Sequence, residues 1–137
     1  VMSSIAIDAV CEKYIKRKAE RHLEKGRIII LAAGTGNPYF TTDSAASLRA
    51  IELNAQIMLK GTKVDGIYDK DPAKYSDAVL YKSISYSDIL KKNLEVMDAT
   101  AVVMCKENSM PLKVFNILKK GNLKKAILSD KIGTKIG

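Results

Sequence analysis

The stretch Arg27-Ile28-Ile29-Ile30-Leu31-Ala32-Ala33-Gly34-Thr35-Gly36 decides the fold class of this sequence. From Ile28 it is a continuous apolar run rich in branched side chains, which is typical of a strand covered on both faces in a parallel sheet. A glycine turn ends the run at Gly34, and Thr41 and Thr42 can then cap a helix that continues to Leu53. Strand, glycine loop and helix in this order indicate an α/β protein.

The regions on either side continue the alternation of strands and helices. Apolar residues at steps of four from Cys11 to Leu23 predict one amphipathic helix that ends at Gly26. Downstream, the patterns predict strands over 56–60 and 112–116, and an edge strand within 131–137. They predict helices over 86–93 and 122–128 and an irregular stretch over 73–83. Asp98 is predicted to begin one more helix, in which Ala99, Val102 and Val103 face inward. The order favours a mainly parallel sheet in a single domain spanning residues 1–137.

Composition excludes several classes of protein. The chain has 137 residues, 47% of them hydrophobic, and a net charge of +8, which is typical of a globular protein and excludes disordered, collagen-like and disulfide-scaffold classes. No apolar run approaches the roughly 18 residues of a membrane span, so we expect a soluble protein without a membrane partner. The basic segments 16–18, 119–120 and 124–125 lack interleaved aromatic residues, which favours solvated helix faces over a nucleic-acid surface.

Two loops have the composition of ligand sites. The first loop, residues 34–42, and the second loop, residues 61–72, each follow a predicted strand, so we expect them side by side along one sheet edge. In the first loop, Gly34 and Gly36 let the backbone approach a ligand, and the start of the following helix favours an anion such as phosphate. From these residues alone, nucleotide binding and simple turn chemistry are equally supported.

Other catalytic and metal-binding patterns find little support. The acids Asp65, Asp69 and Asp71 lack the spacing of a calcium loop and are interpreted as solvated turn acids, so no metal site is predicted. Tyr68 between them can stack on a base or cover the edge of the core. The only histidine, His22, lies in the charged helix, which disfavours a serine hydrolase triad. Neither glycine-rich phosphate fingerprint, Gly-x-Gly-x-x-Gly or Gly-x-x-x-x-Gly-Lys-Ser/Thr, occurs.

The two loops also carry a family resemblance. The segments GTGNPYFTTDSAA (34–46) and KGTKVDGIYDKDP (60–72) resemble those of the uridylate (UMP) kinases of bacterial and plastid type, in the amino-acid-kinase superfamily. Shorter matches occur at 96–101, 114–116, 121–123 and 133–134. The resemblance runs essentially the whole length and corresponds to the carboxy-terminal part of the family's chain. It implies an α/β three-layer sandwich with a mainly parallel sheet, as in the amino-acid and carbamate kinases.

The resemblance also implies which residues bind which nucleotide. The implied reaction transfers the γ-phosphoryl group of Mg-ATP to UMP and gives UDP and ADP. ATP would be held by Thr62, Tyr68 and Asp71, while Asp43 and Asp98 match acids of the family pattern and would support catalysis. UMP would be bound by Thr35, Gly36, Asn37, Pro38, Tyr39, Phe40, Thr41 and Thr42, with Thr35 and Asn37 near the uracil and Thr42 toward the phosphate.

The family context implies ATP and Mg²⁺ as cofactors, a homo-oligomer (the family habit is a hexamer), and a cytoplasmic or plastid enzyme of pyrimidine nucleotide biosynthesis. The sequence departs from the family at Gly61, where Ala is usual, and at Lys120, where Pro is usual. The family's amino-terminal motifs, Lys-x-Ser-Gly-Glu and Gly-Gly-Gly-Asn, do not occur. Two alternatives therefore stay open: a kinase of the same superfamily that acts on a carboxylate or carbamate, and a non-catalytic nucleotide-binding or oligomerisation module.

Overall fold

The computed structural model describes all residues from 1 to 137. Its internal contacts divide the chain into two compact units, Val1–Ala55 and Gln56–Gly137. Each unit combines strands with helices, as the alternating sequence pattern predicts. The expectation of a single domain stays a prediction. None of the helices has the length and apolar character needed to span a bilayer.

The first unit contains a small parallel sheet with two helices. Its elements are β1 (Met2–Ser3), β2 (Glu12–Lys13), α1 (Lys16–Glu24), β3 (Leu31–Ala32) and α2 (Thr42–Glu52). The strand order is β2-β1-β3, and both pairs are parallel. The buried side chains are mostly small, which lets the helices lie close to the strands; they are Met2, Ser3, Ala19, Ser44, Ala45 and Ser47.

Two predictions for the first unit are wrong in extent. The predicted helix from Cys11 begins only at Lys16, because the preceding segment forms β2 and the Tyr14 amide donates to the Ser3 carbonyl (2.7 Å). The strand predicted over 27–33 is paired only at Leu31–Ala32, and Ile28 is 95% exposed rather than covered on both faces. The ladder is short because β1 offers β3 only two residues as partners.

The second unit is built on a four-stranded sheet. Its elements are β4 (Met58–Thr62), β5 (Ser83–Ile84), α3 (Tyr86–Lys91), α4 (Ala99–Glu107), β6 (Leu112–Asn116), α5 (Asn122–Leu128) and β7 (Thr134–Ile136). The order is β4-β6-β7-β5, with β4 parallel to β6, β5 parallel to β7, and β6 antiparallel to β7. All five residues of β6 are buried, so β6 lies at the centre of the core. Both sheets are thus mainly parallel, which confirms the predicted α/β class.

The tail and α4 differ from prediction in the second unit. The strand within 131–137 is not an edge strand, because β7 is inserted between β6 and β5 and buries Thr134 completely. The stretch predicted to be irregular, 73–83, contains no helix or strand before its last residue, where β5 (Ser83–Ile84) begins. In α4 Val102 faces inward as predicted, but Ala99 and Val103 are exposed. Ala101 and Cys105 are buried instead, together with Val102. Ala101 and Cys105 are four residues apart, which places them on the same face of the helix.

The expected shared sheet edge for the two loops is also wrong. The first loop follows β3, which pairs with β1 in one sheet, whereas the second loop follows β4, which pairs with β6 in the other. The apolar run of a strand carries no information about which partner the strand takes, which is why the sequence does not predict two separate sheets.

Candidate functional site

Hydrogen bonds between residues close in sequence fold the start of the first loop. The Gly36 amide donates to the Ala33 carbonyl (2.9 Å), and the Asn37 amide donates to Thr35 Oγ1 (3.1 Å). Gly34 and Gly36 have φ of 58° and 77°, a left-handed conformation that favours glycine. The resulting turns set the backbone of Thr35, Gly36 and Asn37 at the start of the loop.

The second half of the first loop leads into a capped helix. Thr41 Oγ1 accepts a hydrogen bond from the Ser44 amide (3.2 Å), so Thr41 is the N-cap of α2, as predicted, and Asp43 lies in the first turn. Tyr39 is fully exposed and Phe40 is half-exposed just before this helix start. A helix N-terminus attracts anions, and an exposed aromatic ring can stack on a planar base. The loop therefore has the chemistry to bind a phosphorylated nucleoside.

The second loop forms one side of a cleft in the second unit. The cleft has a volume of 510 Å³, and its lining includes all three residues predicted to bind ATP: Thr62, Tyr68 and Asp71. Thr62 ends β4, and its hydroxyl donates to the Val64 carbonyl (2.8 Å). Asp71 Oδ1 accepts from the Ala73 amide (2.9 Å), which fixes the turn that follows. The structure thus brings these three residues to one concave surface.

The opposite side of the cleft consists of residues 92–96, between α3 and α4. Only Val96 of this segment falls in one of the shorter family matches (96–101), and no sequence motif covers residues 92–95, because their contribution depends on how α3 is placed in three dimensions. Lys92 Nζ donates to the Tyr81 hydroxyl (3.1 Å) and lies 4.9 Å from the centre of the Tyr81 ring. This bond raises the pKa of Lys92 above its ordinary value.

Three lysines line the cleft, and they differ in the groups with which they pair. Lys70 pairs with Asp77 (2.6 Å) and Lys74 lies 3.7 Å from Asp71, so carboxylates balance part of their charge. The hydrogen bond of Lys92 is instead to a phenol, and the carboxylates of Asp88 and Asp69 act on its charge electrostatically. Cations of this kind can neutralise the oxygens of a polyphosphate.

Two carboxylates of the second loop make hydrogen bonds and an ion pair that stabilise the conformation of the loop. Asp65 pairs with Lys119 (2.6 Å) and accepts from Asn116 Nδ2 (3.2 Å), and the Lys119 ammonium lowers the pKa of Asp65 below its ordinary value. Asp69 Oδ1 accepts from the Val79 amide (2.7 Å). No three His, Cys, Asp or Glu side chains converge as a metal site. These carboxylates stabilise the loop that carries Tyr68 and Asp71.

The two acids predicted to support catalysis lie at helix starts. Asp43 is in the first turn of α2, in the first unit, and Asp98 caps α4 in the second unit by accepting from the Ala101 amide (3.0 Å). Asp98 does not line the 510 Å³ cleft. Their catalytic roles stay predictions.

Comparison with known proteins identifies the family. Residues 2–116 match the sequence pattern described as the amino acid kinase family. The chain belongs to this family. The match extends over both structural units, from β1 to the end of β6.

Relatives within the amino acid kinase family agree on a narrower group. A uridylate kinase of Dichelobacter nodosus is 58% identical over 97% of this chain and 55% of its own length. UMP kinase structures from Bacillus anthracis (TM-score 0.96, 36% identity) and Ureaplasma parvum (TM-score 0.92, 39% identity) each cover 99% of this chain, which covers 56% and 58% of theirs. The chain therefore spans about half the length of the relatives it matches. The resemblance to UMP kinases that the two loop motifs indicate is confirmed.

Proposed function

We propose that the protein containing this amino acid kinase chain is a UMP kinase, which transfers the γ-phosphoryl group of ATP to UMP. The observation that carries the proposal is the cleft that brings together Thr62, Tyr68 and Asp71, in a chain whose first loop keeps the UMP-kinase motif before a capped helix. The identity to a named uridylate kinase supports the same reading.

In this proposal the first loop binds UMP. Thr35 and Asn37 offer donor and acceptor groups for the edge of the uracil, and Thr42 lies at the helix start where a phosphate is favoured. Gly36 and Pro38 shape the loop, while Tyr39, Phe40 and Thr41 complete it. UMP's own phosphate oxygen is the nucleophile, so the chain's task is to position it and no proton acceptor is required. Asp43 and Asp98 then act as supports of the site.

ATP would occupy the cleft of the second unit. Thr62 offers a hydroxyl, Tyr68 an aromatic ring and Asp71 a carboxylate, which suit a phosphate, a planar base and a ribose hydroxyl group respectively. Mg²⁺ would arrive bound to the ATP phosphates, because no protein cage for a metal ion is present and this ion is commonly held through substrate phosphates. Lys92 lies on the same cleft and can contribute positive charge.

We extend the proposal to the cellular setting that the relatives suggest. A UMP kinase supplies UDP in pyrimidine nucleotide biosynthesis, in the cytoplasm or in a plastid. Family members form hexamers, so we propose a homo-oligomer, without a nucleic-acid or membrane partner. Sedimentation of the purified protein measures the oligomeric state directly.

An acceptor panel tests the reaction. The protein containing this chain is incubated with radiolabelled Mg-ATP and UMP, CMP, glutamate, aspartate or carbamate in separate reactions. We expect UDP as the dominant labelled product. Transfer to glutamate, aspartate or carbamate without UDP would instead identify another kinase of the superfamily. Saturable UMP binding without transfer to any acceptor would identify a non-catalytic binding module.

Variants of the cleft test the ATP assignment. Thr62→Val and Asp71→Asn each remove one proposed ligand and should raise the KM for ATP by roughly tenfold, the cost of one hydrogen bond to a charged partner, with little change in the KM for UMP. Thr100→Val, on the exposed face of α4, is the matched control. Equal KM values for ATP in Thr62→Val, Asp71→Asn and the control would refute the assignment.

A further inference from the structure

The side chain of Arg49 is largely buried in the first unit and contacts several polar and aromatic groups. It lies in α2 with its side chain 13% exposed, and its guanidinium carbon is 3.9 Å from the centre of the Tyr14 ring. Nη1 donates to Glu52 Oε2 (2.7 Å), and Tyr14 donates to the same oxygen (2.8 Å). Nε is buried without a hydrogen-bond partner. Leaving a buried donor unpaired is unfavourable, so the other contacts of this guanidinium must compensate for it.

One of those contacts leads to the first loop. Arg49 Nη2 donates to Ser4 Oγ (3.0 Å), and Ser4 Oγ donates to the Gly34 carbonyl (2.7 Å). The direction of both bonds is fixed, because a guanidinium can only donate and a carbonyl oxygen can only accept. A charged donor polarises the hydroxyl, which strengthens the bond that the hydroxyl donates. The positive charge of Arg49 therefore acts on Gly34 through Ser4.

Ser4 contacts both glycines that begin the loop. Its hydroxyl holds the Gly34 carbonyl, and its backbone lies so close to Gly36 that a Cβ there would be 3.1 Å from the Ser4 carbonyl oxygen. A shift of Ser4 would therefore move Gly34 and Gly36 together. Both residues are glycines, which can adopt many backbone conformations, so the contacts with Ser4 select the positive-φ conformation that they hold here.

We propose that Arg49 is a positioning residue for the UMP subsite, and that it keeps residues 34–42 in the binding conformation through Ser4. The inference rests on the proposed function of that loop. Arg49 needs no contact with UMP: Glu52 and the Tyr14 ring orient its guanidinium, and Ser4 transmits its effect. Lysine cannot replace it, because a single ammonium lacks the planar fork that bonds Ser4 and Glu52 while stacking on Tyr14.

Three variants test the proposal in the protein containing this chain. Arg49→Lys and Ser4→Ala each break the connection from Arg49 to Gly34, and each should raise the KM for UMP by roughly tenfold while leaving the KM for ATP unchanged. Because the two residues act in series, the double variant should lose no more than the worse single variant. Arg21→Lys, an exposed arginine of α1, is the matched control and should behave as wild type.

Amide hydrogen exchange without ligand gives a second readout. In Arg49→Lys and Ser4→Ala, residues 34–42 should exchange faster than in wild type, while residues 62–71 stay unchanged. Unchanged exchange at 34–42 together with an unchanged KM for UMP would overturn the positioning role, as would additive losses in the double variant. If wild type forms no UDP, the proposed function fails, and the exchange at 34–42 still decides whether Arg49 positions the loop.

Discussion

Gly133 shows how one residue can limit the packing of the second unit. It has a φ of 78°, and a Cβ there would lie 2.3 Å from the Val114 carbonyl oxygen, in the central strand β6. Gly121 has a similar φ of 83°, but no atom lies within 4 Å of its Cβ position. An alanine at Gly121 therefore tests the backbone strain of a positive φ without a steric clash. Gly121→Ala should cost about 1–2 kcal/mol of unfolding free energy. Gly133→Ala should cost at least about 2 kcal/mol more, measured by urea unfolding; equal losses would contradict the packing argument.

Thr134 joins the second loop to the core by two hydrogen bonds. Its hydroxyl accepts from the Ile67 amide (2.9 Å) and donates to the Tyr81 carbonyl (2.6 Å), and the residue is fully buried. Thr134→Val keeps the shape but leaves both backbone groups unpaired, which should lower the unfolding free energy by about 2–4 kcal/mol. The control Thr100→Val removes an exposed hydroxyl and should stay within about 0.5 kcal/mol of wild type. A loss in Thr134→Val no larger than in this control would count against the two bonds.

Tyr14 should give the first unit a dependence on alkaline pH. Burial, followed by its bond to Glu52, raises the pKa of Tyr14 to about 12 from 10.0. The folded state therefore holds the phenol proton more tightly, so this contribution to stability is complete below pH 10 and is lost as the pH rises through about 12. The difference in unfolding free energy between wild type and Tyr14→Phe should shrink above pH 10. A difference independent of pH would contradict this assignment.

At the scale of elements, two substitutions of Asp98 distinguish its role as the N-cap of α4 from a role in catalysis. Asp98→Ala removes the cap of α4 and should cost about 1 kcal/mol, whereas Asn is a good N-cap and Asp98→Asn should be close to wild type in stability. If the carboxylate supports phosphoryl transfer, Asp98→Asn should nevertheless lower kcat by at least roughly tenfold, because the charge is lost. Wild-type kcat in Asp98→Asn would leave Asp98 with a capping role alone.

Elements whose signal is local are predictable from this sequence. The cap at Thr41, the strand Leu112–Asn116 and the helix Asn122–Leu128 follow from a capping residue, a short apolar run and a glycine, and the structure confirms all three. The short strands β1, β2 and β5 have two residues each and no periodicity to detect. The central position of β7 depends on a distant partner, which explains why an edge strand was predicted instead.

In the candidate site too, local motifs are predictable from the sequence, whereas contacts between distant segments are not. Thr62, Tyr68 and Asp71 belong to one continuous motif, so the family resemblance predicts them as candidate ATP ligands, and the structure places all three on one cleft. The opposite wall at 92–96 and the chain of contacts from Arg49 through Ser4 to Gly34 join segments that are distant in sequence. Such contacts arise from packing and leave no pattern in a single sequence.

At the scale of the whole molecule, we propose that one chain carries two nucleotide subsites, with UMP at residues 34–42 and ATP at the cleft lined by the second loop and residues 92–96. Amide hydrogen exchange with each nucleotide in turn measures both subsites in one protein. We expect UMP to protect 34–42, and a non-hydrolysable ATP analogue to protect 62–71 and 92–96. Saturating UMP that leaves 34–42 unprotected, or an ATP analogue that protects neither wall of the cleft, would contradict this proposal.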